Sequence, residues 1–463
     1  MKQKYKALIS DTVVFAIGSL GSKLVLFLLL PLYTNFLTDK EYGIADLVFS
    51  AAQFLVPVLS LVVYNAVLRF AISKEYKHED VLLVGLLVVL AGGLVSVLIT
   101  PVIGLYGAIS EWRWYLCSYV IFNMLVIVEG NYLKAINKNK LFAFINIMQT
   151  VMIAVLNIIF LVKFDMGIKG YLIASIVAHA SMSVFAFFAG GMFKTLKIAR
   201  IDWSLTKKML VFSIPLILND VSWWAIYSAN KVMIEAMLGA AALGAYTVAS
   251  KIPALINVCT TIFSQAWNLS AVRDMETDND TNFYSHIFYI YSVLLFGACI
   301  AINLIIKPFM SLYIGDAFFD SWKYVPLLLV GAAFTAITSY FGAFYVALKK
   351  STNNMITTLI SAVINILLNL VLIRGLGIWG AVIASATAYF VVSVIKMLDI
   401  LRFIKIKINM IYYFINIVLV VVQAIAIALE WNFIIILGLV FAYGVINIPN
   451  LIRGLKKLGA NKR

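Results

Sequence analysis

GIKGYLIASIVA (Gly167–Ala178) and GIWGAVIASATA (Gly377–Ala388) are identical at seven of twelve positions, far apart in a chain of 463 residues. The likeness spreads outward from both. LNIIFLVKFDMGIKG from Leu156 parallels LNLVLIRGLGIWG from Leu368 with a two-residue gap, and AINKNK from Ala135 parallels ALKKST from Ala347. Near the start of each half, Tyr42-Gly43 falls on Leu243-Gly244, and Ser10 to Thr12 fall near Val211 to Ser213. The chain therefore reads as two copies of one unit.

Composition says which solvent that unit lives in. The chain is 63% hydrophobic and only 12% charged, with a mean hydropathy of +1.00. A soluble domain is about half apolar and a quarter charged, so this is a membrane protein. A spanning helix needs about 20 mostly apolar residues. Fourteen stretches qualify: roughly 8–32, 42–69, 81–105, 113–136, 142–162, 170–193, 209–236, 243–270, 284–306, 324–348, 355–373, 376–400, 409–429 and 431–452. The basic start MKQKYK has no small-residue cleavage site after its apolar run, so it leads into the first span rather than a removable signal.

Charge orients the spans. Cytoplasmic loops carry an excess of Lys and Arg. With the N-terminus inside, 26 of the 36 Lys and Arg fall in cytoplasmic segments, from Lys2 through the 194–208 linker to Arg463. Both termini are thus expected in the cytoplasm. The net charge of +15 is largely this loop bias and implies no nucleic-acid partner.

The repeat divides the chain. Residues 1–193 form an N-terminal lobe of helices 1–6, 194–208 a basic linker, and 209–403 a C-terminal lobe of helices 7–12. Residues 404–463 hold helices 13 and 14 and a basic tail. Six helices is an even number, so both copies share one orientation and a parallel repeat relates them. The repeated motif has a packing role. Gly170, Ala174 and Ala178, and again Gly380, Ala384 and Ala388, recur every four residues, a spacing that lets helices approach closely in lipid.

Several chemistries find no support. Cys117, Cys259 and Cys299 and His78, His179 and His286 are scattered without metal or disulfide spacing, and no nucleotide loop or zinc-protease motif occurs. No cofactor, metal site or catalytic residue is expected, and the chain reads as a non-enzyme.

Function should lie where polar groups enter the bilayer, because each one is costly there. Helix 2 carries Asp46, Ser50, Gln53, Ser60 and Tyr64 at helical spacing. Helix 8 carries Thr247, Lys251, Thr261, Gln265 and Asn268. Helix 7 carries Asp220, Trp224, Tyr227, Lys231 and Glu235, and helix 1 carries Ser19 and Lys23. A shared cavity would collect these faces. Lys231 and Lys251 lie roughly 12 Å from a helix end, and Lys23 lies nearer the midplane. Three lysines suit an anionic group such as pyrophosphate, while Tyr64, Tyr227, Gln265 and Asn268 suit neutral sugars. Plainer readings stand beside these. A lysine can snorkel to the interface, and Asp220 can serve as a structural ion-pair partner. Trp224, like its neighbour Trp223, can be a packing residue rather than a sugar platform. Arg69 is either a topology anchor or a contact at the cavity mouth. Glu129, near the cytoplasmic end of helix 4, reads as interfacial.

FLTDKEYGIADLVFS (Phe36–Ser50), VLRF (Val67–Phe70) and the two GIxG…IAS segments resemble bacterial polysaccharide-precursor flippases of the multidrug/oligosaccharidyl-lipid/polysaccharide exporter superfamily. The resemblance covers nearly the whole chain. It implies an all-α MATE-like fold in which two six-helix lobes rock about a central cationic cavity, with helices 13 and 14 able to form a groove for a lipid tail. It implies a flippase of the bacterial cytoplasmic membrane that moves undecaprenyl-pyrophosphate-linked oligosaccharide outward for capsule or O-antigen synthesis. Lys23, Lys231 and Lys251 would hold the pyrophosphate, and Asp46 or Asp220 would couple to a proton or sodium ion. Polysaccharide polymerase and export machinery would be its partners. Many members have an acidic residue beside an arginine where this chain has Asn230-Lys231, which puts coupling at that spot in doubt. A multidrug or organic-cation antiporter and a peptidoglycan-precursor flippase are the alternatives, and an integral-membrane glycan polymerase is the reading from another class.

Overall fold

The computed structural model describes residues 27–73, 75–277, 280–348 and 350–460. Among them the chain is helical throughout, with no strand. It divides into two compact units after Gly244.

The first unit contains α1 (Leu30–Phe36), α2 (Asp39–Leu59), α3 (Val63–Ile72), α4 (His78–Ile103), α5 (Arg113–Ala135), α6 (Asn139–Asn157), α7 (Gly167–Ala189), α8 (Met192–Leu196) and α9 (Trp203–Leu238). A π-helical segment, Ile158–Lys163, extends α6. α5 lies at the centre, packed by α2, α3, α4 and α7, and α9 packs on α2 and α3. Local chemistry sets the helix starts. Thr38 and Glu41 form a capping box at α2, and Asp202 accepts the backbone N–H groups of Ser204 and Leu205 at α9. The 194–208 linker is therefore short: α8 occupies its beginning and α9 starts at Trp203.

The expected helix 42–69 is two helices. Pro57 cannot donate to the ladder, and the chain turns at Ser60, Leu61 and Val62. Leu61 and Val62 adopt φ of 49° and 53°, a left-handed conformation that is strained for a β-branched residue. The Val62 N–H bonds back to the Pro57 carbonyl at 3.2 Å. This break also corrects the single polar face read along 46–64. Ser50 and Ser60 are buried, whereas Gln53 is exposed.

The second unit contains most of α10 (Ala240–Thr277), then α11 (Thr281–Tyr313), α12 (Val325–Ala347), α13 (Ser351–Leu376), α14 (Ile378–Leu401), α15 (Met410–Ala428) and α16 (Phe433–Ala460). α12 is the central helix, packed by α11, α14 and α15. Trp267 anchors the core. Its ring stacks on Tyr340 at 4.8 Å and its indole N–H donates to the Tyr340 carbonyl at 3.1 Å. α10 runs to Thr277, and Asp280 caps α11.

The repeat is visible in both packing and backbone. α5 and α12 hold equivalent central places. α6 and α13 are equivalent outer helices, with only 17% and 28% of their most apolar stretch covered, against 72% for the stretch that includes α12. Gly167 and Gly377, which open the two motif copies, both have positive φ, 52° and 60°. Gly377 lets α13 stop and α14 begin at once, and Gly167 opens α7 after the three residues that follow the π-helical segment. Gly170 lies against Phe160 and Gly380 against the Leu372 carbonyl, and Ala174, Ala178, Ala384 and Ala388 are fully buried. The motif's packing role is thus realised in both copies.

Eleven described helical stretches are long and apolar enough to cross a membrane. α9 and the shorter apolar part of α16, Phe433–Pro449, occupy two further expected spans. Most of the first expected span, 8–32, lies outside the described residues. The protein is a multi-pass membrane protein.

Candidate functional site

Three contacts tie α9 to α2 and α3, and they follow the polar stripe read in helix 7. The Lys231 Nζ lies 2.8 Å from Asp46 Oδ2 and 3.1 Å from Oδ1, with side chains 22% and 12% exposed. Further along, the Trp224 indole N–H donates to the Ser50 carbonyl at 2.7 Å, and its ring packs on Phe54 at 4.8 Å. Beyond the break in the chain, the Tyr64 hydroxyl donates to Asp220 at 2.6 Å. α9 thus reads both halves of the broken helix, Asp46 and Ser50 on one side and Tyr64 on the other. At the other end of α9 the Tyr106 hydroxyl donates to Glu235.

The arrangement revises how each charge can act. Lys231 has a carboxylate beside it after all. The neighbour in sequence, Asn230, does not supply it; Asp46 does, 185 residues away. An ion pair that is mostly withdrawn from water needs both members, since loss of one leaves a charge without compensation. Trp224 uses its N–H to hold α9 on α2.

The remaining expected residues are placed as follows. Arg69 is exposed in the last turn of α3, where a cation suits the helix dipole. Lys251, on α10 in the second unit, is half-buried, as is Asn268, and Gln265 is exposed. Lys23 lies outside the described residues, and so does the side chain of Tyr227. Among the described residues, no group of three or more His, Cys, Asp or Glu side chains could hold a metal ion.

Sequence reasoning missed three features. A cavity of about 740 Å³ in the first unit is lined by Lys40, Glu41, Glu111, Trp112, Lys169 and Glu235. These residues come from separate loops and helix ends, so no spacing announces it. In the second unit Lys396 is 4% exposed within α14. Its Nζ donates to Asn354 Oδ1 at 2.6 Å and Thr358 Oγ1 at 3.1 Å, both on α13. Glu129, read as interfacial, is 2% exposed. An apolar helix that carries one carboxylate was the available signal, and the sequence alone does not say which way that residue faces.

Solved structures with the same architecture exist. A lipid II flippase, MurJ, in an inward closed conformation superposes with a TM-score of 0.69 at 14% identity, covering 96% of this chain and 99% of that one. A multidrug resistance MATE family transporter of the MOP superfamily, inward-facing, gives 0.61 at 15% identity over 86% of this chain and 93% of that one. Its outward-facing form gives 0.59 at 16% identity over 85% and 94%. At these identities the likeness is one of fold. No curated protein matches the sequence. Residues 8–268, more than half of the chain, match the family described as polysaccharide biosynthesis protein. With its duplicated helical units and its charged ladder between apolar helices, the chain belongs to that polysaccharide biosynthesis protein family.

Proposed function

We propose that the protein is a flippase that moves undecaprenyl-pyrophosphate-linked oligosaccharide across the bacterial cytoplasmic membrane by alternating access, supplying surface polysaccharide synthesis. The observation that carries this reading is the ladder of α2, α3 and α9. It sets a lysine–aspartate pair, an indole and a tyrosine–aspartate pair on apolar helices, in a chain of a polysaccharide biosynthesis family. The fold it shares with a lipid II flippase supports the reading.

The chemistry is competitive. A pyrophosphate can draw Lys231 from Asp46, because a lysine binds phosphate as a point charge. At about 4 Å and an effective dielectric of 20, each such contact is worth roughly 4 kcal/mol before desolvation. Lys251 and Lys23 are the further cations in this scheme. The sugars would meet Tyr64, Tyr227, Trp224 and Gln265, and the fatty tail would stay in lipid. Both termini face the cytoplasm, and the polymerase and export machinery take the product on the far side.

The test is a deletion strain analysed for lipid-linked oligosaccharide and complemented with Lys251→Ala. Expected are intracellular build-up of undecaprenyl-linked glycan in the deletion, loss of surface polysaccharide, and at least a tenfold slower translocation in the variant. Normal translocation at normal protein levels would remove Lys251 from the site. A second reading, a peptidoglycan-precursor flippase, is favoured by the fold shared with the lipid II flippase over 96% of this chain. It predicts build-up of lipid II and cell lysis instead.

A further inference from the structure

Glu129 is a carboxyl for which the ladder has no use. It lies on α5, six residues before the helix end at Ala135, or about 9 Å along the axis. Its Oε1 accepts the Ser183 hydroxyl of α7 at 3.0 Å. Its Oε2 is buried without a hydrogen-bond partner among the described residues, and none of their Lys, Arg or His side chains lies within ion-pair distance. Asp46 has Lys231 and Asp220 has the Tyr64 hydroxyl, whereas Glu129 has one serine. A carboxylate sealed from water calls for an opposite charge. Glu129 and Ser183 offer too few oxygens for a hard metal cation, which takes about six. They suffice for a proton.

A polar path toward water starts one turn away. Tyr132 is one turn further along α5, on the same face, and is fully buried. Its hydroxyl is 2.8 Å from His78 Nδ1. His78 opens α4, and its side chain is 50% exposed. Histidine exchanges protons readily between about pH 5 and 8. Most other charged or titratable groups on the helices around α5 are engaged elsewhere or open to solvent, while Glu79 sits beside His78. His179 of α7 meets the Ser175 carbonyl at 2.7 Å. Lys134 meets Asn131 at 3.4 Å, and Lys138 meets the Gly190 carbonyl at 2.8 Å. Glu79 of α4 sits 3.6 Å from His78 itself, and Arg69 of α3 is exposed.

We propose that Glu129 is the proton-binding carboxyl of the first unit, reached from water through His78 and Tyr132, and that its proton is gained and lost once per transport cycle. On protonation Oε2 gains an O–H bond. The proton passes from the imidazole to the phenol and, when the side chains of Tyr132 and Glu129 swing together across one turn of α5, on to Oε2. The imidazole and the phenol each give up one proton as they take another, so both end unchanged. The coupling half of this proposal rests on the flippase reading; the proton site does not.

The experiment therefore has two arms. Infrared difference spectra of the purified full-length protein in nanodiscs, recorded on a pH jump, should show a protonated-carboxyl C=O band in the wild type. That band should be absent in Glu129→Gln, shifted in Glu129→Asp, and slower to appear in Tyr132→Phe. A band unchanged in Glu129→Gln overturns the site, and an unchanged rate in Tyr132→Phe overturns the route. In proteoliposomes, a proton gradient should speed wild-type lipid-linked oligosaccharide transfer several-fold, and Glu129→Gln should keep only the gradient-independent rate. Equal acceleration in both overturns the coupling. A wild type that transfers no lipid-linked oligosaccharide sinks the flippase reading and leaves the infrared result standing.

Discussion

Asp46 and Lys231 illustrate why a charge inside a membrane protein is best understood with its partner. Each is mostly withdrawn from water, and each is tolerable because the other lies 2.8 Å away. Removing one member of a well-buried pair costs about 3–5 kcal/mol, and the residual exposure here puts the expected loss at the low end. Asp46→Asn and Lys231→Gln should each lower the unfolding temperature of the purified protein. The double variant should lose less than the two added together, with a coupling of about 1–2 kcal/mol. A strictly additive double variant would mean that the pair does not form in the membrane. The lysine, both aspartates and the tryptophan of this ladder were all legible as polar intrusions at helical spacing. Their partners were not, because a contact between residues 185 positions apart leaves no trace in either local pattern. Glu129 shows the same limit from the other side: its apolar neighbours predict a membrane helix and say nothing of whether the carboxyl meets water or Ser183.

Helices report on themselves more fully than on their interruptions. The repeated GIKG and GIWG segments were read as sites of close packing, and their small residues are indeed buried. The backbone adds a role for the first glycine of each. Gly377 combines φ of 60° with ψ of −137°, a region open almost only to glycine. Gly377→Ala should cost about 1–3 kcal/mol from the backbone alone, since open space surrounds the position where its Cβ would sit. A denaturation midpoint equal to wild type would show that α13 and α14 can meet without that turn. The break between α2 and α3 escaped the hydropathy reading because Ser60, Leu61 and Val62 are compatible with an apolar span. Pro57 weakens the ladder there, and the packed unit fixes where the turn falls, with the Leu59 carbonyl set against Gly92 of α4.

At the scale of the whole molecule, the two C-terminal helices lie outside the repeat yet are firmly built into the second unit. Asn303 of α11 donates to Gln423 of α15 at 3.2 Å, and Gln423 donates to the Ile300 carbonyl at 3.1 Å. Asn447 of α16 donates to Asn416 of α15 at 2.7 Å. Amides are effective fasteners between helices where no water competes. Gln423→Leu strands Asn303 and should destabilise by about 1–3 kcal/mol, and adding Asn303→Leu should restore part of the loss. No recovery in the double variant would assign the effect to packing rather than to the hydrogen bonds. The bias of basic residues makes a second prediction at this scale. A reporter enzyme active only outside the cell should be silent when fused to the C-terminus and active when fused at Gly107. The reverse pattern would invert the topology.

The sequence by itself determined the solvent, the helical class, the duplication and the stripes of polar residues, because all of these are written in composition and in periods of a few residues. Tertiary structure alone decided which charge answers which and where a span breaks. It also decided that Glu129 and Lys396 are enclosed rather than at the interface. Those outcomes depend on distances between segments that meet only after folding, and in a low-dielectric interior such distances set whether a charge is stable at all.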